Sequence, residues 1–432
     1  MPQIGFLADL NGNQAFGTGW REITIWRTSG FKPGFLKGMT YSGGRFKAVT
    51  AGVYSFHASI RIDSLTSGYV RALIAKNGNQ DTNNGLGAIN SDVSDNYDTV
   101  NVNGKMQLKA GDFVSIWMYA SGDSSWLVYS ESGFSGAYVG PPTVEGFQAD
   151  LVSSQTRGRG WFTAIDYRTS GQSASVATLF SNGGNFNLAN GRYTATEDGV
   201  FLVSMNTRLQ GPGTGYFRLV GSINGGRSTN GGVHTIDGNP ASSYETMTVA
   251  GAVSLRRGDY ISMDVYADAD NSWQIYSESG FGVVKLHEQS HQIGFLANLA
   301  GTRGYGTGWN RVSGFTDTGT LTTRLFNTGH FDPNTGTFTA PRAGIYFVGA
   351  NFRFDAACGA YFRLLITINE ARDPNNGLHA IDGGPSCDYT AFNVDAFMFL
   401  NAKDRVEVHV YSNSDNSWAV QAESGWGVTF LS

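Results

Sequence analysis

Only two cysteines occur in 432 residues, so the chain has no disulfide framework like the one that staples small secreted domains. Charge is scarce as well: Asp, Glu, Lys and Arg make up 15%, and the formal net charge is −5. That balance gives no electrostatic case for nucleic acid or an anionic membrane, which call for a basic surface. No apolar run approaches the ~18 residues of a membrane span. Disorder is excluded in turn, because apolar content is 41% and no long charge block occurs. Helical periodicity is missing throughout. So are the enzyme signatures: there is no G-x-S-x-G, no P-loop, no H-E-x-x-H and no glycine fingerprint opening a helix. Paired carboxylates fall only in polar loop segments, where nothing would raise a pKa for acid–base work. A non-enzymatic protein is expected. The opening M-P-Q-I-G-F has no basic or apolar leader segment, so no signal peptide is expected there. A removed leader, leaderless export and an intracellular protein all stay open.

What the chain does have is glycine, 58 residues of it, set between short aromatic and β-branched runs. That punctuation indicates an all-β chain with tight turns. It also repeats. A glycine before an apolar run, a tyrosine–arginine strand and a tryptophan recur as Gly52, Tyr69, Trp126; Gly199, Tyr216, Trp273; and Gly344, Tyr361, Trp418, always 17 and 57 residues apart. A glutamate follows each tryptophan by five (Glu131, Glu278, Glu423), and a leucine lies 56 residues after each glycine (Leu108, Leu255, Leu400). Upstream, G-x-G-W recurs at Gly17 to Trp20, Gly158 to Trp161 and Gly306 to Trp309, at a varying distance from the glycine mark. A period near 145 residues is too long for a solenoid unit and matches a whole domain. The boundaries fall at Val139 to Gly146 and Lys285 to Gln292, and linkers this short make neighbouring domains touch.

Within a repeat the period is two. Val406, Val408 and Val410 share one face, with Glu407 and His409 opposite; Ile261, Met263 and Val265 oppose Ser262 and Asp264. Eight to ten short strands per repeat, separated by turns such as L-K-A-G-D, L-R-R-G-D and L-N-A-K-D, suggest a two-sheet sandwich of the jelly-roll kind.

G-T-F-T-A-P-R-A-G-I-Y-F-V (Gly336 to Val348) resembles the signature of the C1q globular-domain family. The first repeat gives G-R-F-K-A-V-T-A-G-V-Y-S-F and the second G-R-Y-T-A-T-E-D-G-V-F-L-V, both without the proline. The L-x-x-G-D-x-V turn and the closing S-G-F-x-G strand are similar to that family and follow in its order. The third repeat departs at the turn, with Lys403 where glycine is usual. The resemblance covers each repeat nearly end to end. It implies three tandem ten-stranded jelly rolls of the C1q and tumour-necrosis-factor type, spanning residues 1–141, 142–288 and 289–432. Members of that family associate as trimers, so the inference is a single-chain pseudo-trimer, a monomer with internal pseudo-threefold symmetry. A linear string of domains is the alternative.

Several residues then ask for a role. Trp126, Trp273 and Trp418, with Phe134, Phe281 and Trp426, fit either a stacking platform or a half-buried strand, and the strand reading is favoured. Arg61, Arg208 and Arg353, and Arg71, Arg218 and Arg363, recur inside aromatic strands, where an unpaired charge would be costly. Glu131, Glu278 and Glu423 are their expected partners, in buried or subunit-spanning ion pairs. His234 and His379 share H-x-I-D-G, where the first repeat has Gly87; a tautomer-fixing bond on an exposed strand is expected.

Loops rich in Asp, Asn and Ser should share the end opposite the linkers and carry the ligand contacts: Asp95, Asn96 and Asp123; Asp237, Asn239, Asp268, Asp270 and Asn271; Asp382, Asp388, Asp415 and Asn416. Oxygen-rich loops suit calcium, and the resemblance adds that family's calcium sites, yet the same residues are ordinary turn formers. Cys358 and Cys387 lie in loops at that end, where a disulfide is geometrically open. The expectation is an extracellular recognition protein, C1q-like and lectin-like, that binds a cell-surface glycan or protein. Alternatives are a membrane-acting defence toxin and an adhesive matrix protein.

Overall fold

A computed structural model describes residues 1–432 apart from 32, 64, 66, 92–96, 171–177, 212–214, 239–242, 271, 289–291, 321–323, 356–358 and 384–388. Every regular element among the described residues is a β-strand, and every pairing is antiparallel. In the first third of the chain one sheet runs Asp98–Leu108, Gly52–Asp63, Gly133–Gly140, Gly5–Leu10. The facing sheet runs Gly87–Asn90, Val70–Lys76, Phe113–Ala120, Arg45–Ala48. Apart from the paired strands Val70–Lys76 and Gly87–Asn90, successive strands of these two sheets cross from one to the other, which is the double-sheet jelly-roll order.

The same order recurs in the second third, as Tyr244–Leu255, Gly199–Gln210, Gly280–His287, Gly146–Leu151 facing His234–Asp237, Phe217–Ile223, Tyr260–Ala267, Arg192–Thr194. It recurs again as Tyr389–Leu400, Gly344–Asp355, Gly425–Phe430, Gly294–Leu299 facing His379–Asp382, Phe362–Ile368, Arg405–Ser412, Thr337–Thr339. A single pairing, Asp237 with Thr390, runs a sheet of the second repeat on into a sheet of the third.

Alternation puts Val406, Val408 and Val410 at zero exposure in the core, but Glu407 and His409 opposite them are buried too. That outer face is covered, and its charge is met: Arg311 reaches Glu407 at 3.2 Å and Thr337 donates to it at 2.9 Å. Asp264, opposite Met263, is met likewise by Arg227 at 2.9 Å. Buried carboxylates are tolerated only on such terms.

Two of the repeated marks explain each other. The indole N–H of Trp126, Trp273 and Trp418 donates to the carbonyl of Gly17, Gly158 and Gly306, the first glycine of each G-x-G-W, at 3.1, 2.9 and 3.3 Å. The tryptophans are at most 2% exposed, so this bond satisfies a donor that would otherwise be orphaned. Phe134, Phe281 and Trp426 are fully buried. All six aromatics build the core.

At the turn where the third repeat departs, Lys403 has φ 76°, against 97° for Gly111 and 87° for Gly258. The backbone has kept a left-handed conformation that costs a side-chain-bearing residue ~1 kcal/mol. Lys403→Gly should therefore raise the urea unfolding midpoint, by about 0.5–1 kcal/mol of stability; a lower midpoint would show that Lys403 makes a compensating contact.

Candidate functional site

The recurring charges meet at the contacts between repeats. Glu278 of the second repeat bonds its own Arg208 and, at 3.0 Å, Arg71 of the first. Glu423 of the third bonds Arg353 at 2.7 Å and Arg218 of the second at 2.6 Å. Glu131 of the first bonds Arg61 and, at 2.8 Å, Arg363 of the third. First joins second, second joins third, third joins first. Burial alone would raise the Glu423 carboxyl, but the hydrogen bond from Arg353, followed by the charges of His234 and Arg218, outweighs it and holds the group at about 2. Glu131 and Glu278 are held low in the same way, against burial, by the guanidinium charges beside them, Arg363 and Arg61 for the one and Arg71 and Arg208 for the other.

Backbone contacts repeat the pattern. Ser91, Gly238 and Gly383 each donate an N–H to the carbonyl of Tyr244, Tyr389 and Tyr97 in the next repeat, at 3.0, 2.8 and 2.7 Å. Two glycines of the closing strands permit this approach: a Cβ on Gly280 would lie 2.1 Å from the Gly85 carbonyl oxygen, and one on Gly133 2.2 Å from that of Gly377. Those distances are far inside contact, so a side chain there would force the repeats apart.

The tyrosines continue outward as a half-buried aromatic ladder at each contact. Trp20 packs tilted on Tyr119 at 5.3 Å, Tyr119 stacks on Tyr69 at 5.7 Å, and Tyr69 meets Tyr244 of the second repeat edge-on at 5.7 Å. Trp161, Tyr266, Tyr216 and Tyr389 form the next ladder, and Trp309, Tyr411, Tyr361 and Tyr97 the last. Sequence reading singled out Tyr69 and the G-x-G-W tryptophans without joining them. The signal available was that Tyr119, Tyr266 and Tyr411 also recur at one repeat position.

His234 and His379 are 4% and 2% exposed rather than on an exposed strand. Their strands are edges within one repeat, but the neighbouring repeat covers them. Each ring nitrogen Nε2 lies 3.4 Å from the arginine of the triad, Arg218 or Arg363. Burial pushes both imidazoles down to about 3, with Glu423 and Glu131 partly offsetting it. Where the first repeat has Gly87, the imidazole is replaced by a cavity beside Arg71, Arg208 and Glu278. Its volume of about 10 Å³ is the room one water needs. A Cβ on Gly87 would find nothing closer than 3.6 Å, so Gly87→Ala should fit. Filling the cavity should raise the urea midpoint by about 1 kcal/mol of stability; a fall would show that the cavity's occupant bridges the triad.

Where the repeats meet inside, equivalent positions carry unlike residues. Asn103 reaches the Asp395 carboxylate at 3.4 Å, and the backbone of Ala250 also bonds it. Two residues on, Lys105 is fully buried and donates to the Ser204 hydroxyl at 2.6 Å and the Gly282 carbonyl at 3.1 Å, while Ala252 and Phe397 hold the matching places in one apolar cluster. Burial raises the Asp395 carboxyl and lowers the Lys105 amine, each far from its ordinary value.

Several of the loop residues expected to bind ligand make short-range bonds. Asp123 accepts from the Ser67 N–H at 2.9 Å, Asp270 from Ser272 at 2.9 Å and Asp415 from Ser417 at 2.8 Å. The Tyr266 hydroxyl donates to Asp268 at 3.5 Å. Asp237 and Asp382 end the strands His234–Asp237 and His379–Asp382, beside the next repeat. Asn416 accepts from Thr307 at 3.4 Å. Among the described residues no three Asp, Glu, His or Cys side chains converge as metal ligands. Asp95, Asn96, Asn239, Asn271, Asp388, Cys358 and Cys387 lie outside the described residues.

The fold therefore belongs to the class of antiparallel double-sheet jelly rolls. No protein-family model matches the chain, and no curated protein does. Solved structures do. Murine APRIL at pH 5.0 is 13% identical with a TM-score of 0.25, over 32% of this chain and 99% of its own. Eiger TNF from S. frugiperda is 17% identical with a TM-score of 0.27, over 33% of this chain and 95% of its own.

Proposed function

We propose that the chain is a single-chain pseudo-trimer of three C1q- and TNF-like jelly rolls, acting outside the cell as a non-enzymatic recognition protein for surface glycans. The cyclic triads carry this reading, because each glutamate is shared between an arginine of its own repeat and one of the next. Head-to-tail contacts of this kind close into a ring when the rotation allows.

The unlike interior residues support covalent linkage. Three copies of the third repeat would bring three Asp395 carboxylates together, and three copies of the first would bring three buried Lys105 amines together. Ionisable groups at such depth without their present partners, Asn103 for the one and Ser204 and Gly282 for the other, cost several kcal/mol whether charged or neutralised. One of each, packed with Asn103, Ala250, Ala252 and Phe397, avoids that cost. The repeats suit one another better than themselves, and each keeps its own outer surface. Half-exposed Trp–Tyr ladders suit a partner with apolar faces and polar rims, as sugars have.

A glycan array probed with the whole chain, with and without a calcium chelator, tests the function. Binding to a defined set of glycans is expected, unchanged by the chelator. A blank array would remove the glycan reading.

A further inference from the structure

The third repeat differs from the other two at one place on its outer surface. Three residues after the core tryptophan stand Tyr129 and Tyr276 in the first two repeats, and Gln421 in the third. Tyr129 and Tyr276 lay their rings over Arg61 and Arg208, 4.1 and 3.9 Å from the guanidinium carbon. With glutamine there instead, the arginine of the third repeat keeps the Tyr389 ring at 4.2 Å and closes on the carboxylate whose counterpart, Asp63, Arg61 reaches at 3.4 Å. Arg353 holds Asp355 with two bonds of 2.7 and 2.9 Å. The space the tyrosine would have filled is part of an open pocket of about 630 Å³, lined by Tyr305, Asn310, Asp355, Asn416, Trp418 and Gln421. That volume lies in the range of small-molecule sites. Asn310, where the other repeats have Arg21 and Phe162, widens it, and Tyr305 stands where they have Phe16 and Arg157.

The chemistry of the lining is specific. Tyr305 packs on Trp418 at 5.3 Å and gives the pocket an aromatic wall. Its hydroxyl has no protein partner among the described residues, and burial pushes its pKa up to about 12, so it is a neutral donor. The Asn310 amide nitrogen is used on the carbonyls of Gly306 and Gly308, at 3.1 and 3.0 Å, which leaves its oxygen as an acceptor. The Gln421 oxygen accepts from Thr302 at 2.7 Å, leaving its amide N–H groups as donors. The one ionised lining group, Asp355, is already neutralised by Arg353. A charged ligand gains nothing here. A ring with an apolar face and adjacent hydroxyls gains both stacking and hydrogen bonds.

We infer that this pocket of the third repeat is a binding site for one neutral hexopyranose unit. The inference rests on the glycan-recognition reading and places the sugar in one repeat only.

The test is saturation-transfer NMR with the methyl glycosides of glucose, galactose, mannose and N-acetylglucosamine, beside the glycan array. Each is run on the whole chain and on the variants Gln421→Tyr and Tyr305→Arg. Both substitutions install residues that another repeat already carries at that place, so the fold accepts them. At least one methyl glycoside should bind, and Gln421→Tyr should weaken it tenfold or more. A glycoside that binds both variants as tightly as the original chain overturns the pocket assignment, and so does an array that lights up while no methyl glycoside binds; in either case glycan recognition stands. An array and a glycoside panel that are both blank overturn the pocket and the function together.

Discussion

Glu131→Gln should lower the unfolding free energy of the whole chain by about 3–5 kcal/mol, the cost of removing one partner from a buried ion pair. The glutamate is 8% exposed and Arg61 5%, and Arg363 of the third repeat shares the same carboxylate. Glutamine keeps the shape and part of the hydrogen bonding, but leaves the Arg363 guanidinium without its carboxylate and Arg61 with Asp63 alone, at 3.4 Å, in a site that solvent hardly reaches. The control is Arg405→Ala. Its pair with Glu370 is 2.5 Å long, yet the two side chains are 48% and 53% exposed, and such a pair contributes no more than about 0.5 kcal/mol. Urea titration of both variants separates depth from mere proximity. Equal small losses would mean that water screens the triad, and that it does not hold the third repeat to the first.

Acid should weaken the protein in two stages, beginning well above the carboxylate range. His234 and His379 have folded pKa values of about 3, against an ordinary ~6.5. The unfolded chain therefore takes up these protons first, and stability falls as pH drops below 6.5. By pH 5 each histidine should have cost about 2 kcal/mol, at ~1.4 kcal/mol per pH unit. Below about 4.5 the loss of Glu423, held at about 2 in the fold, adds to it. Urea midpoints between pH 7.5 and 5 should shift steeply, and the pair His234→Gln, His379→Gln should flatten that slope. A residual slope is expected from His409, which burial pushes down to about 4, and from buried His57 beside Lys105. A midpoint that does not move over that range would contradict neutral, buried histidines at the junctions.

The strands and their order were legible because glycine marks, tyrosines and tryptophans hold fixed spacings, and period-two runs lie between them. The Trp126-to-Gly17 bond was not, although both motifs were visible, because the loop between them varies in length. Arg61 and Arg71 look alike in sequence. Arg61 bonds within its own repeat and Arg71 reaches Glu278 of the second, which only packing between repeats decides. His234 and His379 were misread as exposed for the same reason: periodicity within one repeat does not see the neighbour that covers its edge strand. Loop carboxylates such as Asp270 and Asp415 have the composition of a cation site and of a turn alike, and the bonds they accept from Ser272 and Ser417 are those of a turn. Gln421 in place of tyrosine stood in plain view. Its meaning required knowing that Tyr129 covers an arginine.

Closure of the ring is tested most directly by small-angle X-ray scattering of the 46.4 kDa chain. Three repeats joined first to second, second to third and third to first should give a radius of gyration near ~22 Å, the value for one compact body of this length. A value of about 30 Å or more, as three bodies of ~14 Å set in a row would give, would contradict it.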